Sequence, residues 1–248
     1  MSGQSGVIYA VNHQRELLWF QHTGRDSGKF EWTDNAPRPV GVGWNAKHLF
    51  SGGEGFIYAI NDANELSWYR HTGRDHGSFD WTDANPRHVG VGWDVKHVFA
   101  AGDGVIYAVN QANELLWFRH EGRDDGSFRW TDNNARKVGV GWDVKHVFSG
   151  GDGIIYAVNR DDDLVWFRHE GRFDGSFKWT DGNPRKVGQG FNYKTLFAGG
   201  DGVIYAIDAQ DNLLWYRHEG RDNGSFAWTD NSPRRVGEGW RVAHIFPG

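Results

Sequence analysis

Gly104-Val105-Ile106-Tyr107-Ala108-Val109 is the stretch that decides the fold, because the chain carries it five times. Every copy reads glycine, apolar residue, Ile, Tyr, Ala, aliphatic residue, and begins 49 residues after the copy before it. The copies begin at Gly6, Gly55, Gly104, Gly153 and Gly202. A fixed period of this length is typical of solenoids, propellers and repeat arrays. Whatever one copy binds, we therefore expect the protein to bind several times.

Outward from this stretch, the third copy reads as short strands separated by turns. Residues 104–110 are aliphatic and β-branched and predict a first strand, and residues 115–120 predict a second. Residues 127–132 are expected to begin a third strand, which residues 136–138 continue or follow, and residues 145–148 predict a fourth. Glycines between these segments favour tight turns, and no segment has helical periodicity.

Four antiparallel strands per copy, repeated five times, predict an all-β fold, a five-bladed β-propeller. A linear solenoid is the alternative, but its ends would need polar caps that this sequence does not show. Residues 2–6 repeat the turn at residues 51–55, so we expect the last strand, Ala243 to Phe246, to join the first three strands and close the ring. The prediction is one propeller domain over 1–248, with repeats 6–54, 55–103, 104–152, 153–201 and 202–248 plus 1–5.

The composition argues against several classes of protein. The 27 Lys and Arg and the 32 Asp and Glu are spread evenly, so no basic stripe offers itself to nucleic acid. Cysteine is absent, which excludes disulfides, thiolate zinc sites and cysteine nucleophiles. No apolar run approaches the roughly 18 residues of a membrane span, and Met1–Ser5 lacks the pattern of a signal peptide. We expect a soluble monomer without membrane insertion, cytoplasmic or released by an unconventional route.

The 14 tryptophans fall into three sets that recur once per copy. The first set is Trp19, Trp68, Trp117, Trp166 and Trp215. The second is Trp32, Trp81, Trp130, Trp179 and Trp228, and the third is Trp44, Trp93, Trp142 and Trp240, with Phe191 in the fourth copy. Because large aromatic side chains fill the space between packed sheets, we assign the first and third sets to packing between blades.

The order of Trp130, Val138-Gly139-x-Gly141-Trp142, Lys145-His146-Val147-Phe148 and Gly153-Ile154-Ile155-Tyr156-Ala157-Val158 resembles the repeat of the tachylectin-2 family. The resemblance recurs in each copy and covers essentially the whole chain. It implies a five-bladed propeller that holds N-acetylated amino sugars, N-acetylglucosamine (GlcNAc) and N-acetylgalactosamine (GalNAc), at sites between neighbouring blades. It therefore implies a multivalent lectin, with up to five sites for glycans that end in such sugars.

The segment after the second tryptophan has the chemistry that a sugar requires. A flat indole suits the C–H face of a sugar, an Asp carboxylate accepts from hydroxyls, and an Arg donates through a planar fork. The candidate residues are Trp32, Asp34 and Arg38; Trp81, Asp83 and Arg87; Trp130, Asp132 and Arg136; Trp179, Asp181 and Arg185; and Trp228, Asp230 and Arg234. A turn in which Asp pairs with Arg is the other interpretation of the same residues.

Metal binding receives less support from the sequence. Histidines recur on the fourth strand as His48, His97, His146 and His244, but Thr195 interrupts the set, and packing against a neighbouring blade is favoured. The acidic turn at 161–163 lacks the alternating ligands of a calcium loop. We predict no metal site and no cofactor.

An enzyme is not expected either, because no nucleophile elbow or phosphate-binding loop is present and every feature is repeated five times. A propeller scaffold for protein–protein interaction is the alternative function. Such a scaffold should carry one asymmetric patch, and the asymmetry that we consider for it is the fourth copy, with Phe173, Phe191, Tyr193 and Thr195. If any sugar site is altered, it should border this copy.

Overall fold

The computed structural model describes residues 6–83, 86–132, 134–180 and 184–248. These residues form five antiparallel sheets of four strands each, which we call blades 1 to 5 and give from the innermost strand outward. Blade 1 is β20 (His244–Pro247), β1 (Val7–Val11), β2 (Leu17–Gln21) and β3 (Arg38–Gly41). Blade 2 is β4 (His48–Gly53), β5 (Phe56–Ile60), β6 (Leu66–Arg70) and β7 (Arg87–Gly90).

Blades 3 to 5 repeat this order. Blade 3 is β8 (Val95–Ala100), β9 (Val105–Asn110), β10 (Leu115–Arg119) and β11 (Arg136–Gly139). Blade 4 is β12 (His146–Gly151), β13 (Ile154–Val158), β14 (Leu164–Arg168) and β15 (Arg185–Gly188). Blade 5 is β16 (Thr195–Gly200), β17 (Val203–Ile207), β18 (Leu213–Arg217) and β19 (Arg234–Gly237). Within the described ranges the one helical element is a 3₁₀ turn at Glu170–Phe173, and no helix there is long and apolar enough to cross a membrane.

The predicted ring closure is confirmed. Strand β20 pairs antiparallel with β1, with His244 opposite Val11 and Phe246 opposite Tyr9. The innermost strand of every blade thus comes from the end of the preceding copy, and blade 1 takes its innermost strand from the end of the chain. This pairing joins the two ends of the sequence in one sheet, which leaves the ring without an open blade edge between them.

The predicted third strand is wrong at its start. Residues 127–132 are a loop in which only Trp130 pairs, through an isolated bridge with His120, and the strand that follows the loop is β11, the outermost of blade 3. The carbonyls of this loop have irregular partners, because that of Ser127 accepts from the amide of Arg129 and from His120 Nε2, both at 2.8 Å, and that of Arg129 accepts from the Gly122 amide at 3.1 Å. Those groups are therefore not free to form a strand ladder.

Each blade presents a row of four side chains to the next blade. In blade 3 the row is Phe99, Tyr107, Trp117 and Arg136, which lie opposite one another across the four strands. Tyr107 and Trp117 are 0% and 1% exposed, so the row forms the densest part of the boundary between blades. The equivalent rows are Phe246, Tyr9, Trp19, Arg38; Phe50, Tyr58, Trp68, Arg87; Phe148, Tyr156, Trp166, Arg185; and Phe197, Tyr205, Trp215, Arg234.

The polar atoms of this row bind the loop that follows the third strand of the next blade. The Tyr107 hydroxyl lies 2.6 Å from Nδ1 of His169, and Nε1 of Trp117 donates to the Arg172 carbonyl at 2.8 Å. The guanidinium of Arg136 donates to the Asp174 carbonyl. One blade therefore forms hydrogen bonds to three residues of its neighbour's loop. These bonds satisfy the buried tyrosine hydroxyl and the buried indole N–H.

The histidine in this contact has a defined tautomer. Nε2 of His169 lies 2.8 Å from the Ser176 carbonyl, which can only accept, so Nε2 carries the proton and Nδ1 accepts from the Tyr107 hydroxyl. The pairs recur around the ring at 2.5 to 2.8 Å between Tyr9 and His71, Tyr58 and His120, Tyr107 and His169, Tyr156 and His218, and Tyr205 and His22. All five histidines are 1% exposed.

One glycine of the loop is required by this packing. Gly175 has φ of +63°, and a Cβ there would lie 2.5 Å from the ring of Trp117. Only glycine avoids both the backbone strain and the collision.

The opposite face of each sheet is apolar and packs on the preceding blade; Ile155 and Ala157, for example, are fully buried against the cluster that contains Trp117. Burial of these faces stabilises the ring by about 25 cal/mol for each Å² of apolar surface.

Replacement of Tyr58 with Phe tests the hydroxyl-to-histidine contact. The change leaves Nδ1 of the buried His120 without its donor, so the free energy of unfolding should fall by about 1–3 kcal/mol. The matched control is Tyr69→Phe, since the hydroxyl of half-buried Tyr69 has no hydrogen-bond partner within the described residues. Urea unfolding of both variants checks the difference, and equal destabilisation would contradict the role given to the pair.

The stability of the ring should depend on pH. Burial is the largest cause that lowers the pKa of nine histidines below the usual 6.5: His22, His48, His71, His97, His120, His146, His169, His218 and His244. With folded pKa values below the unfolded one, the unfolded chain binds more protons under about pH 6.5, and stability is lost as the pH falls. The urea midpoint should therefore be constant from pH 8 to 7 and decline towards pH 5. A midpoint unchanged between pH 7 and 5 would contradict this.

Candidate functional site

We call the boundary between each blade and the next at the outer edge of the ring a groove. In the groove between blades 2 and 3, the loop of blade 3 at residues 127–132 lies against strand β7 of blade 2. Nε1 of Trp130 donates to the Val89 carbonyl at 2.8 Å, and the ring of Phe128 lies 6.2 Å from that of His88. The loop therefore runs along the outermost strand of the neighbouring blade and forms the second wall of the groove.

The second set of tryptophans occupies the equivalent place in all five grooves. Each indole Nε1 donates to a valine carbonyl of the preceding blade at 2.7 to 2.9 Å. Each indole is half-buried and stacks within 4.6 Å of the histidine that receives the tyrosine hydroxyl. These rings, Trp32, Trp81, Trp130, Trp179 and Trp228, are fixed in position and still partly open to solvent.

The predicted Asp and Arg residues form ion pairs, as the turn interpretation requires. Arg136 Nε donates to Asp132 Oδ2 at 2.5 Å, and the Arg136 guanidinium carbon lies 5.3 Å from the centre of the Trp117 ring. The other described pairs are Arg38 with Asp34, Arg87 with Asp83, and Arg234 with Asp230. Asp181 lies outside the described residues, while Arg185 donates to the Asn223 carbonyl and lies over Trp166.

The three candidate residues of one copy face two different grooves. Trp130 reaches back to blade 2, whereas Arg136 reaches forward to the Asp174 carbonyl of blade 4. The groove between blades 2 and 3 therefore combines Asp83 and Arg87 of blade 2 with Trp130 of blade 3, because Arg87 donates to the carbonyl of Asp125. The sequence analysis grouped the candidate residues by copy, whereas the structure groups them by the boundary between two blades.

A set of exposed phenylalanines completes the groove wall. Phe128 is 58% exposed although it lies on an ordered loop, and the five equivalents range from 58% to 62%. They are Phe30, Phe79, Phe128, Phe177 and Phe226. A large apolar ring left open to water in every copy is unusual and marks a contact surface. The signal for it was in the sequence, as the Phe that ends Gly-Lys-Phe in the first copy and Gly-Ser-Phe in the other four, which no packing argument required.

One carboxylate oxygen of the groove is available to a ligand. Both contacts between Arg87 and Asp83, at 2.6 and 2.7 Å, use Oδ2 of the carboxylate. Oδ1 of Asp83 accepts no hydrogen bond from the described residues. An acceptor beside an apolar ring and a half-buried indole is the combination that orients a polar ligand with one apolar face.

The five grooves differ at their lips, by which we mean the exposed residues of the outermost strand and of the segment that follows it. The segment that leaves the outermost strand exposes Val42, Val91 and Val140, which are 65% to 72% exposed, but has Gln189 and Glu238 at the equivalent places in the last two copies. The exposed position within the outermost strand is Pro39, His88, Lys137, Lys186 and Arg235 in turn. Arg235 pairs with Glu238 at 3.2 Å, so the groove between blades 5 and 1 is charged where that between blades 1 and 2 is apolar.

The innermost histidines tie blades together as the packing interpretation predicts. Nε2 of His146 lies 3.0 Å from the Tyr193 carbonyl, that of His48 lies 3.2 Å from the Val95 carbonyl, and that of His244 lies 3.0 Å from the Ala46 carbonyl. Within the described ranges, no group of three or more His, Asp or Glu side chains is arranged to hold a metal ion.

The fourth copy departs from the repeat in two places. Phe191, where other copies have Trp, is 6% exposed and packs on Trp228, and the Tyr193 hydroxyl bonds the hydroxyl of Tyr216. Phe173, where other copies have Asp, is 58% exposed and lies beneath the guanidinium of Arg172, 4.3 Å from its ring centre. The first change repacks the groove between blades 4 and 5, and the second leaves an isolated aromatic ring at the surface.

The profile of the Tachylectin family matches residues 1–144 and 117–248, which together span the chain. The chain belongs to the Tachylectin family. No curated protein matches it. Tachylectin-type repeats thus account for all five copies, including the divergent fourth.

Solved structures of other propellers are similar at low identity. The chain is 15% identical to the lectin of Aleuria aurantia, a six-bladed β-propeller described with a fucose recognition mode, with a TM-score of 0.46 over 96% of this chain and 76% of that one. A mutant of the same lectin in complex with Fucα1-6GlcNAc gives 15% identity and 0.46 over 93% and 75%. Prp20p from Saccharomyces cerevisiae gives 14% identity and 0.43 over 90% of this chain, which spans about three fifths (59%) of that one.

Two substitutions separate the structural and the open residues of a groove. Arg136→Ala removes a guanidinium that stacks on Trp117 and bonds the next blade, so it should lower the free energy of unfolding by roughly 1 kcal/mol. Phe128→Ala removes a ring that is mostly in water and should change stability by less than about 0.5 kcal/mol. Urea unfolding checks both, and a larger loss for Phe128→Ala would mean that the exposed phenylalanine serves packing.

Proposed function

We propose that the chain is a multivalent lectin that binds terminal N-acetylated amino sugars, such as GlcNAc and GalNAc, in the grooves between blades. Membership of the Tachylectin family supports carbohydrate binding. The observation that carries the proposal is the recurrence of an exposed phenylalanine and a half-buried tryptophan in all five grooves, with a described Asp–Arg pair in four of them.

The groove between blades 2 and 3 illustrates how a sugar would be held. Phe128 and Trp130 offer apolar surface to the C–H face and to the methyl of an acetamido group, and Oδ1 of Asp83 accepts from a ring hydroxyl. Arg87 keeps the carboxylate in place through Oδ2 and is itself held by the Asp125 carbonyl. Binding is non-covalent and uses groups that the fold has already positioned, so no catalytic step is involved.

We expect one groove to bind its sugar weakly, and the five grooves of one chain together to bind a glycan-bearing surface with high avidity. A shallow site with one aromatic wall and few polar contacts corresponds to a Kd on the order of 1 mM to 10 μM. Several grooves that engage one glycan-bearing surface raise the avidity by roughly 10²–10⁴ without new contacts, which is the property needed to agglutinate cells or particles.

Calorimetric titration with GlcNAc and GalNAc tests the proposal. Saturable binding of several sugars per chain is expected, and Phe128→Ala should remove about one site from the stoichiometry while the urea midpoint stays unchanged. Gln111→Ala, in the exposed turn between β9 and β10 of the same blade, is the matched control and should leave the stoichiometry intact.

Two results would overturn the assignment. An unchanged stoichiometry in a variant with all five exposed phenylalanines replaced by Ala would place the sugar elsewhere on the ring. Absence of heat with both sugars at high protein concentration would remove the specificity for N-acetylated amino sugars, and a broad glycan array would then separate another glycan from a protein partner.

A further inference from the structure

A second kind of site lies on blade 2, where the chain departs from its own repeat. In blades 3 and 5 an arginine at the end of the third strand has a glutamate two residues later, and Nε of Arg119 lies 3.6 Å from Glu121 while Nε of Arg217 lies 3.5 Å from Glu219. Blade 2 has the equivalent Arg70, but its residue two positions later is Thr72. Among the described residues, Arg70 has no carboxylate within ion-pair distance.

The same glutamate has a second partner that blade 2 also retains. The hydroxyl of Thr131 donates to Glu121 at 2.6 Å, and that of Thr229 donates to Glu219 at 2.5 Å. The equivalent residue of blade 2 is Thr82, and its amide donates to the Arg70 carbonyl at 3.0 Å, as the Thr131 amide does to that of Arg119. Blade 2 therefore keeps both groups that hold a carboxylate in blades 3 and 5, without supplying the carboxylate.

In blades 1 and 4 the equivalent threonine hydroxyl finds an acceptor within its own blade. In blade 1 Gln21 replaces the arginine, and its side-chain oxygen accepts from the Thr33 hydroxyl at 2.7 Å. Blade 4 keeps the glutamate, Glu170, which accepts from Thr180 at 3.0 Å. Within the described residues, blade 2 alone has the arginine (Arg70) and the threonine (Thr82) without a side-chain acceptor from its own blade for them.

Arg70 opens into a cleft large enough for a small ligand. The cleft has a volume of about 560 Å³ and lies between the turn at 54–56, the loop at 70–75 and Asp124 of blade 3. That volume is within the range of about 300–1,000 Å³ that small-molecule sites occupy. Beneath it, Phe56, which is aliphatic in the other copies, carries the guanidinium of Arg70 at 5.1 Å and that of Arg123 at 4.2 Å from its ring centre.

The acidic residues of the cleft are already paired. Glu54 and Asp124 lie 2.8 and 3.0 Å from the guanidinium of Arg123, and Asp75 lies 2.8 Å from that of Arg74. Arg123 holds the pKa of Glu54 below its usual range, first through their hydrogen bond. Glu54 and Asp124 share one guanidinium, that of Arg123, while Asp75 pairs with Arg74, so Arg70 is the guanidinium of the cleft without a carboxylate at ion-pair distance among the described residues.

We propose that this cleft binds the carboxylate of a sugar acid. The ligand carboxylate takes the place that Glu121 and Glu219 fill in their own blades, against the guanidinium of Arg70 and the hydroxyls of Thr72 and Thr82. Charge-assisted bonds of this kind are the strong ones. Glu54, Asp75 and Asp124 keep carboxylate oxygens that accept from ligand hydroxyls, which favours a hydroxylated acid over a simple one. The site is distinct from the five grooves and does not depend on their ligand.

Titration of ¹⁵N-labelled protein with glucuronate tests the site, with the Arg Nε–Hε and Trp indole resonances as reporters. Saturable shifts of the Arg70 resonance with one site per chain are expected in the millimolar range. Glucose, which lacks the carboxylate, should bind at least about tenfold more weakly, since a hydrogen bond to a charged group contributes about 1.5–3 kcal/mol. The Trp130 indole reports on the neighbouring groove and should not respond to the same degree.

The chain provides its own variants and control. Thr72→Glu installs the residue of blades 3 to 5 and Arg70→Gln that of blade 1, so both should fold, and each should weaken glucuronate binding at least about tenfold. Arg119→Gln, which removes the equivalent arginine of blade 3, should leave binding unchanged. GlcNAc titration of Thr72→Glu should match that of the unmodified chain, which keeps this test separate from that of the grooves.

Three outcomes would overturn the proposal. Full glucuronate binding in Thr72→Glu would show that the carboxylate does not lie against Arg70. Equal weakening by Arg119→Gln would show that the effect is not specific to blade 2. Absence of any saturable response of Arg70 to glucuronate would show that the cleft does not take sugar acids.

Discussion

The ring depends on a tyrosine hydroxyl that donates to a buried histidine of the next blade. The histidine is neutral, because its Nε2 must donate to a carbonyl of its own loop and its Nδ1 must accept from the tyrosine. Neither nitrogen has an alternative partner in the core, and loss of either bond would leave a buried polar atom unsatisfied. Since the contact recurs at all five boundaries, it fixes the position of every blade relative to the next.

The same histidine also determines the position of the groove. His120 stacks on Trp130 at 4.6 Å between ring centres, and Trp130 in turn bonds the Val89 carbonyl of the preceding blade. The half-buried indole is therefore held by the core contact on one side and by a backbone acceptor on the other. A ligand that meets this ring meets a surface whose geometry was set by folding, which reduces the entropy lost on binding.

Sequence alone was enough for the fold. The period of 49 residues, the alternation within the strands and the shared turn at the two ends gave five blades and their closure. It was not enough for the grouping of the site residues, because the direction in which Arg136 points depends on its register against Trp117. That register includes a bulge between Leu115 and Leu116, and local sequence patterns do not reveal such long-range irregularities. The loop at 127–132 was misread for a related reason, since its alternating residues fit a strand but its carbonyls have irregular partners.

The loss of stability that a substitution would cause explains which positions are constant among the copies and which vary. Tyrosine, histidine and the first tryptophan are the same in all five, because a change at any of them leaves a void or an unpaired polar group in the core. The lips of the grooves, at Pro39, His88, Lys137, Lys186 and Arg235, are exposed, so substitution there costs little and the copies have diverged.

The five grooves share a half-buried tryptophan but differ in the exposed residues of their lips, so they are not identical to one another. An apolar lip, as at Val42, favours the uncharged face of a ligand, whereas Arg235 and Glu238 add charge to the groove that closes the ring. A rigid ring that presents unequal sites at fixed spacing gains avidity only from surfaces on which several glycans match those sites at once. If the grooves bind glycans as proposed, selectivity resides in the combination of grooves that a surface can engage, which no single groove possesses.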